Sequence, residues 1–394
     1  MNRVVQRLRP FQETVFATMT QKAIDHDAIN LGQGFPDTNG PEAMLSQASE
    51  AILHGDNQYG NGRGLLALRQ AISQQRSRDY EINYQPETDI LVTVGATEAI
   101  AATILGLVEP GGEVIVFEPY YDAYAAAIAL ADAKRVSVPL KAENNSWDLD
   151  VAAFEDAISD HTSLVILNSP HNPTGSVFSA DTLKKFAEIC IRHDLLVLSD
   201  EVYENLLFDS LKHIPIASMP GMFERTITVS SAAKSYNVTG WKTGWALAPQ
   251  PLLDGVIKAK QFLSYVGATP LQPAVAYALN NENEWLTNMV SELAQKREYL
   301  SSVLNEAGFH VAHTEGTYFI VVDISPLGCD DGVEFCFRLI EECGVAAIPI
   351  QVFSDHPENW KTKVRFAFCK QDHVLHEAGN RILQWAKKNR VEGR

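Results

Sequence analysis

At 394 residues the chain is long enough for two hydrophobic cores, and an apolar fraction of 46% can fill them. Its 49 acidic against 32 basic residues give a formal charge of −17, which excludes nucleic acid and anionic membrane as partners because both demand basic surface. Any anionic ligand must then meet a few locally placed basic side chains.

The first forty residues are too loop-rich to fold alone, so residues 1–40 are expected to form an arm over the smaller domain or a second subunit. The opening MNRVVQRLRPFQETVF has no apolar core of signal-peptide length, and no later window reaches the ~18 apolar residues of a membrane span. A cytoplasmic protein is expected. The glycines of NQYGNGRG (57–64) resemble a dinucleotide loop, but no strand precedes them and the third is misplaced, so a nicotinamide cofactor is not expected.

From about residue 86, strand-like apolar runs alternate with helix-like segments, the pattern of a mainly parallel sheet covered on both faces. The predicted strands are 88–95 (TDILVTVG), 112–119 (GEVIVFEP), 134–140 (KRVSVPL), 163–170 (SLVILNSP), 195–203 (LLVLSDEVY), 226–231 (TITVSS) and 243–248 (TGWALA). Nearly every unusual residue ends or follows a strand: Gly95 to Thr97 the first, Pro119 to Tyr121 the second, the His171 to Gly175 loop the fourth, Asp200 to Tyr203 the fifth and Lys234 the sixth. Open α/β sheets bind ligands at the carboxyl ends of their strands, so these separate stretches predict one site.

After Pro270 and Pro273 a helix is predicted through NENEWLTNMVSELAQKREYLSSVLNEAG, ending at Gly308. Further strands and helices, among them KVRFAFC, read as a smaller α+β domain. The predicted organisation is a large domain over 41–283 and a small one over 284–394. Cys190, Cys329, Cys336, Cys343 and Cys369 form no CxxC pair and leave one unpaired, which fits a reducing compartment. The seven-residue spacing of the middle three reads as ordinary buried thiols, and no metal is expected.

Residues 230–245, SSAAKSYNVTGWKTGW, are the most informative stretch. Lys234 follows a β-branched run among small residues, and Lys242 comes eight positions later, an arrangement suited to a covalent aldehyde cofactor that carries a phosphate. The stretch resembles the pyridoxal-phosphate lysine motif of class I aminotransferases, and the resemblance runs from LGQGFPD (31–37) to Arg365. It implies fold type I: a seven-stranded, mainly parallel sheet between helices in the large domain, plus a small α+β domain. It further implies pyridoxal 5'-phosphate, small amino-acid and keto-acid substrates, and a homodimer with shared active sites.

By that resemblance Lys234 joins the cofactor's aldehyde and moves protons, Asp200 holds the ring nitrogen protonated, and Tyr203, three residues on, faces the phenolic oxygen. Asn172 in NSPHNPTG donates to the same oxygen and borders the substrate, and Asn168 is assigned to structure. Ser231, Lys242 and the helix start at Gly95, Ala96 and Thr97 are the phosphate cup, since free N–H groups and the dipole of a helix start favour anions. Tyr121 is the candidate for stacking on the ring, with Tyr120 as its substitute and Tyr124 assigned to the core or rim. Tyr59 matches the family tyrosine that reaches the phosphate of a neighbouring subunit. Arg365 is the candidate for the substrate α-carboxylate, which a guanidinium binds bidentately, and Gly34 corresponds to a backbone contact beside it.

Within the family the chain looks most like the kynurenine and glutamine transaminase branch, and especially the actinobacterial N-succinyldiaminopimelate aminotransferases of lysine biosynthesis. Small residues at Gly267 and Ala268, where kynurenine-type enzymes carry bulky ones, suggest a wide mouth for a long substrate, whose further carboxylates could meet Arg63 or the N-terminal arginines. Two other readings stand beside this one. A carbon–sulfur lyase of the same fold would need no keto-acid acceptor. A DNA-binding amine sensor would need a basic added domain that the acidic chain does not show.

Overall fold

The computed structural model describes residues 3–11, 15–55 and 57–392. Its strands, in chain order, are β1 (Ile29–Asn30), β2 (Ile90–Val94), β3 (Glu113–Glu118), β4 (Lys134–Pro139), β5 (Lys141–Glu143), β6 (Ser146–Asp148), β7 (Thr162–Asn168), β8 (Leu196–Asp200), β9 (Thr226–Ser231), β10 (Thr243–Leu247), β11 (His310–Val311), β12 (Phe319–Asp323), β13 (Val345–Ala346), β14 (Ile348–Pro349) and β15 (Lys363–Ala367).

Seven of them make one sheet in the order β2-β10-β9-β8-β7-β3-β4, and these are the seven that the apolar runs predict. β9, β8, β7, β3 and β4 run parallel. β10 runs antiparallel to both of its neighbours, β2 and β9. Alternate side chains serve opposite faces: Val114 and Val116 pack among the helices Gly95–Leu107, Asp122–Leu130 and Gln250–Leu263, while Ile115 and Phe117 pack with Phe154 and Phe186 on the other side. Burial on both faces is why these strands read as unbroken apolar runs.

The covering helices follow local rules. Helix Ala180–Arg192 is capped by Ser179, whose hydroxyl accepts from the Thr182 N–H at 3.1 Å. It buries Leu183, Phe186, Ala187 and Cys190, a stripe at helical spacing. The long predicted helix is present as Asn283–Ala307, closed by Gly308 in the left-handed region at φ +101°.

A second, antiparallel sheet has the order β11-β12-β15-β14. The early strand β1 pairs in parallel with β13, Ile29 opposite Val345, so the N-terminal segment packs beside this second sheet. One apolar cluster runs continuously from Ile115 and Val165 of the first sheet to Ile320, Val322 and Phe366 of the second. The five cysteines are free thiols, four of them buried. Among the described residues no helix is long and apolar enough to cross a membrane.

Candidate active site

The carboxyl ends of β2, β7, β8 and β9 meet at one edge of the large sheet, and the reversed direction of β10 brings its beginning to the same place. Lys234 lies on the one-turn helix Ala232–Ser235, directly after β9. The chain then turns through Thr239–Trp241, and Lys242 adopts a left-handed conformation at φ +51° before β10 starts. Thr243 pairs with Val94 and Gly244 with Ser231. Lys242 Nζ therefore reaches the start of helix Gly95–Leu107 and lies only 3.1 Å from where a Cβ on Gly95 would sit, so a side chain there would displace it.

These ends enclose a cavity of about 380 Å³ lined by Gly34, Gly95, Ala96, Thr97, Tyr121, Asn172, Asp200, Tyr203, Ser231, Lys234, Lys242 and Arg365. The residues assigned from the sequence to the cofactor, the proton transfer and the α-carboxylate are therefore in one place, except Tyr59. That residue is 81% exposed, with its ring edge-on to Tyr265 at 5.7 Å.

Arg365 arrives from the second sheet, where β15 pairs with β12 and sets Arg365 opposite Val321. Its Nη1 donates to Asn172 Oδ1 at 2.9 Å and its Nη2 to the Gly32 carbonyl at 3.0 Å, and the guanidinium lies 3.9 Å from the Phe319 ring centre. With Oδ1 of Asn172 occupied, its amide nitrogen remains as the donor. At Gly34 a Cβ would fall 2.4 Å from Phe319, so only glycine lets this backbone approach the cavity.

Burial moves the charged groups toward neutrality. The Lys234 amine is lowered to about 8, chiefly by burial. Its Nζ is 3.5 Å from the Gly34 carbonyl and lies over the Tyr203 and Tyr318 rings at 5.7 and 5.5 Å. Burial raises Asp200 to about 6, against the opposing pull of the Tyr124 hydroxyl, which donates to Asp200 Oδ2 at 2.6 Å. Arg365 is lowered to about 10 by burial. The cavity thus combines an amine of lowered basicity, a buried carboxylate and a guanidinium.

The sequence family described as "Aminotransferase class I and II" matches residues 26–382. The chain is an aminotransferase of class I and II. It is 50% identical, over 98% of its own length and 99% of the relative's, to the probable N-succinyldiaminopimelate aminotransferase DapC of Mycobacterium tuberculosis. The solved structure of the N-succinyldiaminopimelate aminotransferase from that organism matches with a TM-score of 0.95 at 52% identity, covering 97% of this chain and all of the other. The methionine aminotransferase of Escherichia coli is 40% identical over 94% of this chain and 95% of its own.

Several residues of the aminotransferase site are not visible in its motifs. Tyr124, read as core or rim, is buried as expected but also holds Asp200. Asn168, read as structure, lines the cavity; its Nδ2 donates to the Asp200 carbonyl at 2.9 Å and its Oδ1 accepts from the Asn172 N–H at 2.8 Å. Tyr318 donates to the Gly34 carbonyl at 2.5 Å, and Gln33, Phe35, Asp122 and Phe319 also line the cavity. The one local signal was position at a strand end or beside a recognised residue.

Two expectations need correcting. Arg63 does not reach the cavity; it donates to the Thr88 carbonyl at 3.0 Å and pairs with Asp254 at 3.3 Å. Gly267 is small because a Cβ there would fall 2.4 Å from Val94 Cγ2, and neither it nor Ala268 lines the cavity. Packing against Val94 accounts for the glycine at 267.

Proposed function

We propose that this aminotransferase uses pyridoxal 5'-phosphate to move an amino group between the glutamate/2-oxoglutarate pair and N-succinyl-LL-2,6-diaminopimelate with its keto acid, by ping-pong kinetics. The observation that carries the reading is one cavity that brings the Lys234 amine and the buried Asp200 carboxylate together with Lys242 and the Arg365 guanidinium. The residues fit the cofactor: Lys234 for its aldehyde, Asp200 for its ring nitrogen, Tyr203 and Asn172 for its phenolic oxygen, Tyr121 for its ring face. Ser231, Lys242 and the N–H groups of Gly95, Ala96 and Thr97 would hold its phosphate.

When bound, the cofactor supplies a sink for the electrons of the substrate Cα–H bond. The protein does the positioning and the proton transfer. Arg365 clamps the α-carboxylate so that the Cα–H bond faces Lys234. With its affinity lowered to about 8, Lys234 can both take and return a proton near neutral pH. Buried away from water, Asp200 would set its charge against the protonated ring nitrogen of the bound cofactor, and Tyr124 and Asn168 hold it in place.

The substrate assignment rests on the half-identical Mycobacterium tuberculosis protein that bears this name. The division into an arm (1–40), a large domain (41–283) and a small domain (284–394) is supported by the two sheets and the helix Asn283–Ala307 between them. A homodimer is supported by the exposed aromatics Tyr59, Phe262 and Tyr265, at 81, 85 and 49% exposure, which a second copy would cover. There Tyr59 would reach the partner's phosphate cup.

The test is spectroscopic. With cofactor added, a visible band should be bleached by glutamate and restored by the keto acid of the succinylated substrate. Turnover of methionine or kynurenine without the succinylated compound would overturn the substrate. A band that glutamate cannot bleach would overturn the donor.

A further inference from the structure

Glu118 ends β3 with its side chain completely buried, yet it has no part in the cavity. Its partners come from far along the chain, in the segment that follows β14. The Asp355 N–H donates to Glu118 Oε2 at 2.7 Å, and His356 Nδ1 lies 2.6 Å from Oε1. The same segment is fastened twice more. Tyr120 donates through its backbone N–H to the Phe353 carbonyl and through its hydroxyl to Asp355, each at 2.9 Å. Arg135 of β4 grips both oxygens of Asp355, at 2.8 and 2.5 Å.

This cluster touches the active site at both ends without entering it. Tyr120 precedes Tyr121, which lines the cavity. The Phe353 ring stands 5.6 Å from the Arg365 guanidinium, and β14 pairs directly with β15 at Arg365. The contacts therefore join the end of the large sheet to the strands that carry the guanidinium. We propose that Asp355 and His356 are positioning residues: by clamping Glu118, Tyr120 and Arg135 they hold Tyr121 and Arg365 at their working separation, and the clamp is tightest when His356 is protonated.

The electrostatics give the direction. Glu118 of β3, Asp355 of the same segment and Glu358 of the following turn all face His356, while Arg135, the nearby cation, is engaged by Asp355. The hydrogen bond and charge of Glu118 raise the imidazole above its ordinary value. A group raised in the clamped state contributes fully below its ordinary pKa of about 6.5 and loses that contribution as pH rises through the raised value. A buried carboxylate that loses its cation pays a large desolvation penalty, so release of the proton loosens the clamp.

The cofactor-loaded enzyme and its His356→Gln and His356→Lys variants should be compared for kcat and KM with glutamate across the His titration range. His356 is half-exposed, so neither change threatens the fold. The ratio of variant to wild-type KM cancels the groups that they share. For His356→Gln the ratio should be roughly tenfold at low pH, about one charge-assisted hydrogen bond, and should fall toward one as pH rises, with kcat close to wild type. His356→Lys should keep the low KM and extend it to higher pH. A ratio of one at every pH, a lysine variant no better than the glutamine one, or a loss confined to kcat would each overturn the clamp. A wild-type enzyme that does not turn over glutamate would refute the donor assignment instead, and the same comparison run with methionine would still test the clamp.

Discussion

Two buried charged clusters diverge from one short stretch, Asp200 to Glu204, and they are built on opposite principles. Asp200 and Tyr203 face the cavity, where Lys234 and Arg365 are drawn toward neutrality by burial. Glu201 and Glu204 face away from it and close on Arg76, whose Nη1 lies 2.8 Å from Glu201 and 3.1 Å from Glu204. His213 adds a contact of 3.0 Å to Glu201, Ser199 donates to Glu201 at 2.8 Å, and Ser230 donates to Glu204 at 2.6 Å. Burial alone would neutralise these groups too, but Glu204 and Glu201 hold the Arg76 guanidinium above its ordinary range, and His213 and Arg76 hold Glu201 down at about 2. Ion pairing keeps Arg76 and Glu201 charged in this cluster and secures the strand end. An open one shifts its proton affinities into the range where they can be used.

Breaking the open cluster should cost the most activity. Lys234→Ala should lower turnover by roughly 10²- to 10⁴-fold, the usual contribution of a positioned acid–base group, with the folded state intact by thermal unfolding. In the wild-type protein, capture of added cofactor requires the neutral amine, so its rate should climb as pH rises through about 8 and then level off. A capture rate that does not change with pH would contradict the lowered affinity.

Breaking the ion-paired cluster should affect stability instead. Arg76→Met removes the guanidinium that the two buried carboxylates share and should destabilise the protein by about 3–5 kcal/mol in urea unfolding. Turnover per folded molecule at low temperature should stay near wild type. Equal losses of stability and of turnover per folded molecule would show that the two clusters are not separable.

A smaller change sharpens the comparison. Tyr124→Phe removes the hydroxyl that holds Asp200 down. Asp200 should then bind its proton more tightly, and the acid limb of the pH–rate profile should move to higher pH, with a loss of less than about tenfold on the plateau. An unmoved limb would assign it to another group.

The seven large-sheet strands and the gathering of Lys234, Asp200, Asn172, Gly95 and Lys242 were legible because both depend on local pattern. Doubly buried strands must be apolar throughout, and parallel strands deliver all their carboxyl ends to one edge. The antiparallel course of β10 could not be read that way, since its composition matches its neighbours, although it is what returns Lys242 to Gly95. Tyr124 reads as core or rim and Asn168 as structure because their partner, Asp200, is 76 and 32 residues away.

Local chemistry alone thus determined which residue types stand at the strand ends, and with them the family and the outline of the site. Only the tertiary structure decided which charges are closed by partners and which are left open. It paired Arg76 with the glutamates, held Arg63 outside the cavity against Asp254, tied Gly267 to Val94, and set His356 on Glu118. Burial and proximity set proton affinity, and both are sums over neighbours that the chain brings together only when it folds.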